Sequence, residues 1–233
     1  MLGSAPPRSG PMFLVRGLIA ARLPAHREPQ RPPARVPDGA LRDAMRGALA
    51  ARPRGRLWVF ACGALMWERG GVPHDEAARG RLRGFARRYS LHDEHDRGTP
   101  EAPSLALGIE PAPGEACGGV LFRLPEAGRG SSLEGLAARD AARLLSRPVG
   151  GRRTRRGGDE APRPHLRGRL RPRPLRGPGT GRGGGAGTLA PGVGPRGAAA
   201  AYLLDTAEAL RREGMPDPLL ERLVEAVGAR LAG

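Results

Sequence analysis

The sequence contains no lysine and no asparagine, and it has only two isoleucines, two tyrosines and four phenylalanines among 233 residues. These amino acids have AT-rich codons, so their scarcity points to a very GC-rich gene. All 39 residues counted as Lys+Arg are arginine, and part of that number reflects nucleotide composition rather than a need for charge. Two cysteines, Cys62 and Cys117, are too few for a disulfide framework or a zinc site. The five histidines (His26, His74, His92, His95, His165) lack ligand spacing, so no metal is expected. His92 and His95 are three apart and can share a helix face or lie as a solvated pair in an acidic loop. No apolar run is long enough to span a membrane, which excludes a membrane-embedded function and makes the cytoplasm the expected location.

What is abundant is glycine, with 37 residues, and proline, with 25. That level suggests disorder if it is spread evenly, and the length accommodates one full-sized domain or two small ones. The net charge of +16 is not spread evenly. Residues 1–36 contain six Arg and one Glu, and residues 151–188 contain eleven Arg against Asp159 and Glu160. The other 159 residues carry 22 Arg and 20 acids. This is a near-neutral domain with two basic stretches, not a uniformly basic nucleic-acid-binding surface.

Residues 1–36 read as a disordered leader. Met12 to Leu23 is apolar but short and interrupted by Arg16 and Arg22, which argues against a signal peptide, and 24–37 is a Pro/Arg-rich linker. A domain is expected over 37–233. Asp38 is placed to cap a helix to about Ala51, with Leu41, Met45 and Leu49 on one face. Leu57 to Cys62 reads as a buried strand with a tight turn at Gly63. Leu82–Leu91, Leu105–Ile109 and Gly119–Leu124 read as further strands. Ala198 to Leu231 reads as two helices broken at Gly214 and Pro216. Between them, 27 of the 38 residues in 151–188 are Gly, Arg or Pro. Such a stretch cannot bury enough apolar surface to offset its ordering entropy, yet a structureless segment of that length is unusual inside a compact domain.

Three segments carry a pattern in fixed order: Trp-Val-Phe-Ala-Cys-Gly-Ala-Leu-Met-Trp (58–67), Asp-Arg-Gly-Thr-Pro-Glu (96–101) and Gly-Gly-Val-Leu-Phe-Arg-Leu (118–124). Two more follow, Gly-Pro-Arg-Gly…Tyr-Leu (194–203) and Asp-Pro-Leu-Leu-Glu-Arg-Leu (217–223). Together they resemble the ChaC-like gamma-glutamylcyclotransferase family over about 38–130 and 190–231. The resemblance implies an α+β fold, a small mixed β-barrel flanked by helices. It implies glutathione or another gamma-glutamyl amine as small-molecule substrate, with 5-oxoproline and Cys-Gly as products. It implies no cofactor, metal or membrane partner.

The implied reaction is attack of the α-amine on its own γ-carbonyl, closing a five-membered ring. The amine is protonated at neutral pH, so a carboxylate must take its proton, and holding amine and carbonyl together supplies much of the rate. Backbone N–H groups at the turn after the first strand can hold the substrate carboxylate or oxyanion, which makes Val59, Phe60, Ala61, Cys62, Gly63 and Ala64 the candidate substrate-binding residues. The family's turn reads Gly-Tyr-Gly-Ser-Leu, whereas this chain has Ala61-Cys62-Gly63-Ala64-Leu65, without the two hydroxyls. The family's Glu base belongs near position 139, where Arg139 stands. Asp140 lies one residue late and Glu134 five early, so no catalytic residue is assigned. The family prefers His where Asp96 stands and often Asn where Ala199 stands. Asp96, Arg97 and Glu101 have the plainer reading of a locally paired turn set by Thr99-Pro100.

Family-like blocks thus flank a foreign block, a pattern that suggests translation one nucleotide out of register from near 134 to near 189. Read one base later, Leu136-Ala137-Ala138-Arg139-Asp140 can encode Trp-Arg-Arg-Glu-Met. Likewise Leu145 can become Tyr, Val149-Gly150 can become Trp-Val, and His165 to Arg169 can become Thr-Phe-Val-Ala-Asp. Leu175-Arg176-Gly177 can become Tyr-Ala-Gly. The other reading of the block is a genuine Arg/Gly/Pro insertion. Two rival functions follow from these features. One is nucleic-acid binding by the Arg/Gly stretch, against which 151–188 offers no aromatic residue for stacking. The other is gamma-glutamyl binding without turnover.

Overall fold

The computed structural model describes residues 11–27, 56–68, 73–128, 130–132, 135–136 and 185–233. In chain order its elements are α1 (Pro11–Arg22), β1 (Trp58–Ala61), a 3₁₀ turn (Ala64–Met66), β2 (Glu76–Asp93), β3 (Ser104–Arg123), α2 (Ala186–Leu189), β4 (Val193–Gly194), β5 (Gly197–Ala198), α3 (Ala199–Arg212) and α4 (Pro218–Ala232). The expected helix 38–51, the positions Glu134, Arg139 and Asp140, and nearly all of 134–189 lie outside the described residues. The end of that block is described: Ala186 and Leu189 are buried on α2, before the boundary expected at 189. Where one domain over 37–233 is expected, the chain divides into two compact units. One is Ala34–Arg87 with Ile109–Pro174; the other is Met1–Pro33, Arg88–Gly108 and Leu175–Gly233.

In the first unit β1 pairs antiparallel with the end of β3, Trp58 opposite Arg123 and Ala61 opposite Val120. Among the described residues the larger sheet has the order β1-β3-β2. Val, Phe and Trp in β1 suit a pleated, half-buried surface. Phe122, fully buried, lies under His74 with ring centroids 4.8 Å apart. The approach of β1 to β3 needs a glycine, because a Cβ on Gly119 would stand 2.3 Å from the carbonyl oxygen of Ala61.

Two strands expected at 105–109 and 119–124 are one strand, β3, running through Pro111, Pro113 and Gly114. The physical reason is position. β1 covers only Val120–Arg123, so the prolines fall beyond the reach of β1, where a missing N–H costs no ladder bond on that side. Gly114 takes φ +86°, a bend that a side chain would resist. β2 likewise begins at Glu76 rather than Leu82. The expected mixture of helix and sheet is present, but no closed barrel forms among the described residues. Three strands do not close a barrel, and the strand residues that the resemblance places in the middle block lie outside the description.

The second unit is mainly helical. Asp217 caps α4 by accepting hydrogen bonds from the N–H groups of Leu219 (3.0 Å) and Leu220 (3.4 Å), and Pro218 occupies its first turn. Leu220, Leu223, Val224, Val227 and Leu231 form its buried stripe. α3 is buried nearly all round, with Leu203, Leu204 and Leu210 fully enclosed. Its N-cap is Ala198, which makes no side-chain cap bond.

The expectation of a disordered leader is corrected for Pro11–Arg22, which is helical and packs on α3 and α4. Val15 is buried against Gly228, where an added Cβ would stand 2.6 Å from Val15 Cγ2. Arg16, taken as an interruption, instead reaches Asp205 Oδ1 at 2.8 Å and Glu208 Oε2 at 2.9 Å. Partial burial alone lowers its pKa, but the hydrogen bonds and charges of the two carboxylates outweigh this and hold it above the ordinary arginine value. No helix among the described residues is long and apolar enough to cross a membrane.

Candidate active site

The six candidate binding residues all lie in the first unit, on β1 and the turn that follows it. Val59 and Phe60 are half-buried, Ala61 is buried, and Cys62, Gly63 and Ala64 are partly open. The turn is closed by hydrogen bonds from the N–H of Met66 to the Gly63 carbonyl (2.9 Å) and from the N–H groups of Trp67 (3.0 Å) and Glu68 (2.8 Å) to that of Ala64. A helix start leaves its first N–H groups without intrahelical partners, here those of Ala64 and Leu65. With Gly63 they give the turn its donors, without the hydroxyls at 62 and 64 that the resemblance would supply.

A residue the sequence reading passed over stands behind this turn. Arg87 on β2 is 2% exposed. Its Nε donates to the carbonyl oxygen of Cys62 (3.0 Å) and its Nη2 to that of Gly118 (2.6 Å). The signal was the pair Arg87-Arg88 inside an otherwise alternating strand, where one arginine must face inward. Cys117 is buried and its thiol donates to the Gly118 carbonyl at 3.6 Å.

Asp96, Arg97 and Glu101 belong to the second unit, and there the first two work as the plainer reading has it. The Asp93 carboxylate accepts from the N–H groups of His95 (3.1 Å), Asp96 (2.9 Å) and Arg97 (3.1 Å). Arg97 donates to the Arg196 carbonyl and lies over the Tyr202 ring, 5.3 Å from its centroid. Asp96 faces Arg196 at 3.8 Å. Thr99 and Ala102 exchange two backbone hydrogen bonds of 3.1 Å, closing the turn, and Glu101 is exposed at its outer edge. His92, next to the end of β2, pairs with Glu94 at 3.1 Å, and His95 lies in the turn that follows, so the two share neither a helix face nor one loop. No group of three or more His, Cys, Asp or Glu that could hold a metal occurs among the described residues.

Residues 57–147 match the model of the family described as ChaC-like protein, a span that includes β1, the turn, β2 and β3. Over that span the chain is similar to the ChaC-like family. A gamma-glutamylcyclotransferase 2-3 of Arabidopsis thaliana is 35% identical over 68 residues, 29% of this chain and 34% of that protein. A glutathione-specific gamma-glutamylcyclotransferase of Schizosaccharomyces pombe is 33% identical over 87 residues, 31% of this chain and 42% of its own length. Its namesake in Escherichia coli is 37% identical over 79 residues, 34% of this chain and 33% of that protein. The matched segments span between 33% and 42% of the length of these relatives. In fold it is similar to a solved gamma-glutamylcyclotransferase specific to glutathione from yeast, with a TM-score of 0.57 at 19% identity, covering 76% of this chain and 97% of that one. A second structure of that yeast protein gives 0.53 at 17% identity, covering 76% and 99%.

Proposed function

We propose that this protein is a gamma-glutamylcyclotransferase acting in the cytoplasm on glutathione. The observation that carries the reading is the family match over 57–147 together with relatives named for glutathione-specific gamma-glutamylcyclotransferase activity. The substrate's α-amine loses a proton and attacks the γ-carbonyl carbon. The new C–N bond closes the lactam, the old amide C–N bond breaks, and the proton passes to the leaving amine of Cys-Gly. The donors of the turn 62–64 hold a carboxylate or the developing oxyanion. The reaction draws on no metal, cofactor, membrane or nucleic-acid partner.

The chain as written is impaired in this role. A guanidinium stays protonated and takes no proton, and Arg139 stands where the resemblance puts the Glu base. The register shift accounts for this, since it restores Glu within Trp-Arg-Arg-Glu-Met. The test is 5-oxoproline release from glutathione by two purified chains, one as written and one frame-restored over 134–189. Turnover by the restored chain alone supports both the activity and the shift. Glutathione binding by calorimetry with turnover in neither makes the protein a gamma-glutamyl binder. Neither binding nor turnover removes the glutathione reading.

A further inference from the structure

We propose that Arg87 is the positioning residue of the substrate turn, aiming the Gly63 N–H; its consequence for substrate rests on the function proposed above. A peptide unit is planar, with its C=O and N–H pointing in opposite directions. The Cys62 carbonyl and the Gly63 N–H belong to one such unit. Arg87 Nε holds that carbonyl at 3.0 Å from the buried side, so the Gly63 N–H is turned away from Arg87. The same guanidinium grips Gly118 on β3 at 2.6 Å. The turn is thereby referenced to a second strand and not only to the end of β1.

The choice of residue supports a role in orientation. Enclosing a guanidinium carries a desolvation cost, and an apolar side chain of similar volume commonly fills such a place as well or better. What the apolar side chain lacks is two donors in a rigid planar fork, able to fix two carbonyls at once. Gly119 completes the clamp, for its missing side chain lets Ala61 and Phe60 close directly over β3 beside the Gly118 contact. β1, β3 and the turn are then held at a fixed spacing. Where the Gly63 N–H holds the substrate's carboxylate, which is charged before reaction begins, the loss of Arg87 appears in KM.

The test compares Arg87→Met and Arg87→Lys in the full chain by amide exchange and in the frame-restored chain by kinetics. Met66, Trp67 and Glu68 report on the turn, because their N–H groups close it. In Arg87→Met their exchange accelerates by about tenfold or more while Val120–Phe122 on β3 stay protected. Arg87→Lys, which keeps the charge and one donor, gives an intermediate value. In a chain that turns over glutathione, Arg87→Met raises KM about tenfold with kcat changed less. A merely structural loss lowers apparent kcat at constant KM. Unchanged exchange in the turn, or equal acceleration throughout the first unit, overturns the proposal. If Arg87→Met does not fold, Arg87→Lys decides it, and Lys exchange equal to that of the parent also overturns it. Absence of glutathione binding and turnover in both the written and the frame-restored chain refutes the function and leaves the exchange result to judge Arg87.

Discussion

The Asp93 carboxylate accepts three successive backbone N–H groups, and through them it shapes the whole 93–98 turn. Hydrogen bonds to an ionised, largely enclosed acceptor are worth more than neutral ones, because the donors have little water to fall back on. Asp93→Ala is expected to cost about 3 kcal/mol in urea unfolding, and Asp93→Asn about half as much, since one oxygen remains. A cost under about 0.5 kcal/mol for Asp93→Ala would show the turn to be held by other contacts. Gly98 explains why this turn tolerates no side chain. An added Cβ would stand 2.2 Å from the Asp93 carbonyl oxygen and 2.4 Å from the Ser104 nitrogen. The motif Asp-Arg-Gly-Thr-Pro was legible in the sequence, but its use in bracing Arg97 against Arg196 and Tyr202 was not, since those partners lie about a hundred residues away.

Among the elements, the two C-terminal helices were the most legible. Their 3.6-residue stripe and the break at Gly214 and Pro216 marked them; the Asp217 cap appears only in the structure. The link from α3 to α4 adds a charged clasp, in which Arg211 Nε meets Glu221 Oε1 at 2.6 Å and Nη2 also reaches the carboxylate. The hydrogen bond from Arg211 lowers the Glu221 pKa despite opposing burial, and the same bond raises that of Arg211. A carboxyl whose folded pKa is depressed contributes stability above its unfolded pKa of about 4.3, and that contribution is lost as pH falls through the folded value. The pair is mostly exposed, so its worth is about 0.5–1 kcal/mol. Glu221→Gln should therefore destabilise by that amount at neutral pH in urea melts and match the parent once both forms are protonated. A difference that persists unchanged into strong acid would show a cause other than the charge. By contrast α1 was illegible, although Met12, Val15 and Ile19 sit at helical spacing. A short amphipathic helix next to arginines gains little alone, and the acids Asp205 and Glu208 and the gap over Gly228 make it worth ordering.

At the scale of the whole molecule, the excess of positive charge is the feature most easily misread. Most of the +16 lies in the leader and in 151–188. The proposed register shift in a GC-rich gene would account for that charge without an anionic partner. Sequencing the locus is expected to find one base gained or lost near codon 134 and the compensating change near codon 189. An unbroken frame with sound reads establishes the block as a genuine insertion.

The sequence by itself determined the family resemblance, the first strand and its turn, and the two C-terminal helices, because local periodicity and glycine placement are written in neighbouring residues. The tertiary structure alone decided that α1 is ordered, that β3 is one strand through two prolines, and that Arg87 faces the turn. Each of those depends on what a distant segment presents: carboxylates on α3, the short reach of β1, and carbonyls at Cys62 and Gly118. A one-dimensional pattern records which groups need partners, and only packing settles which partners they meet.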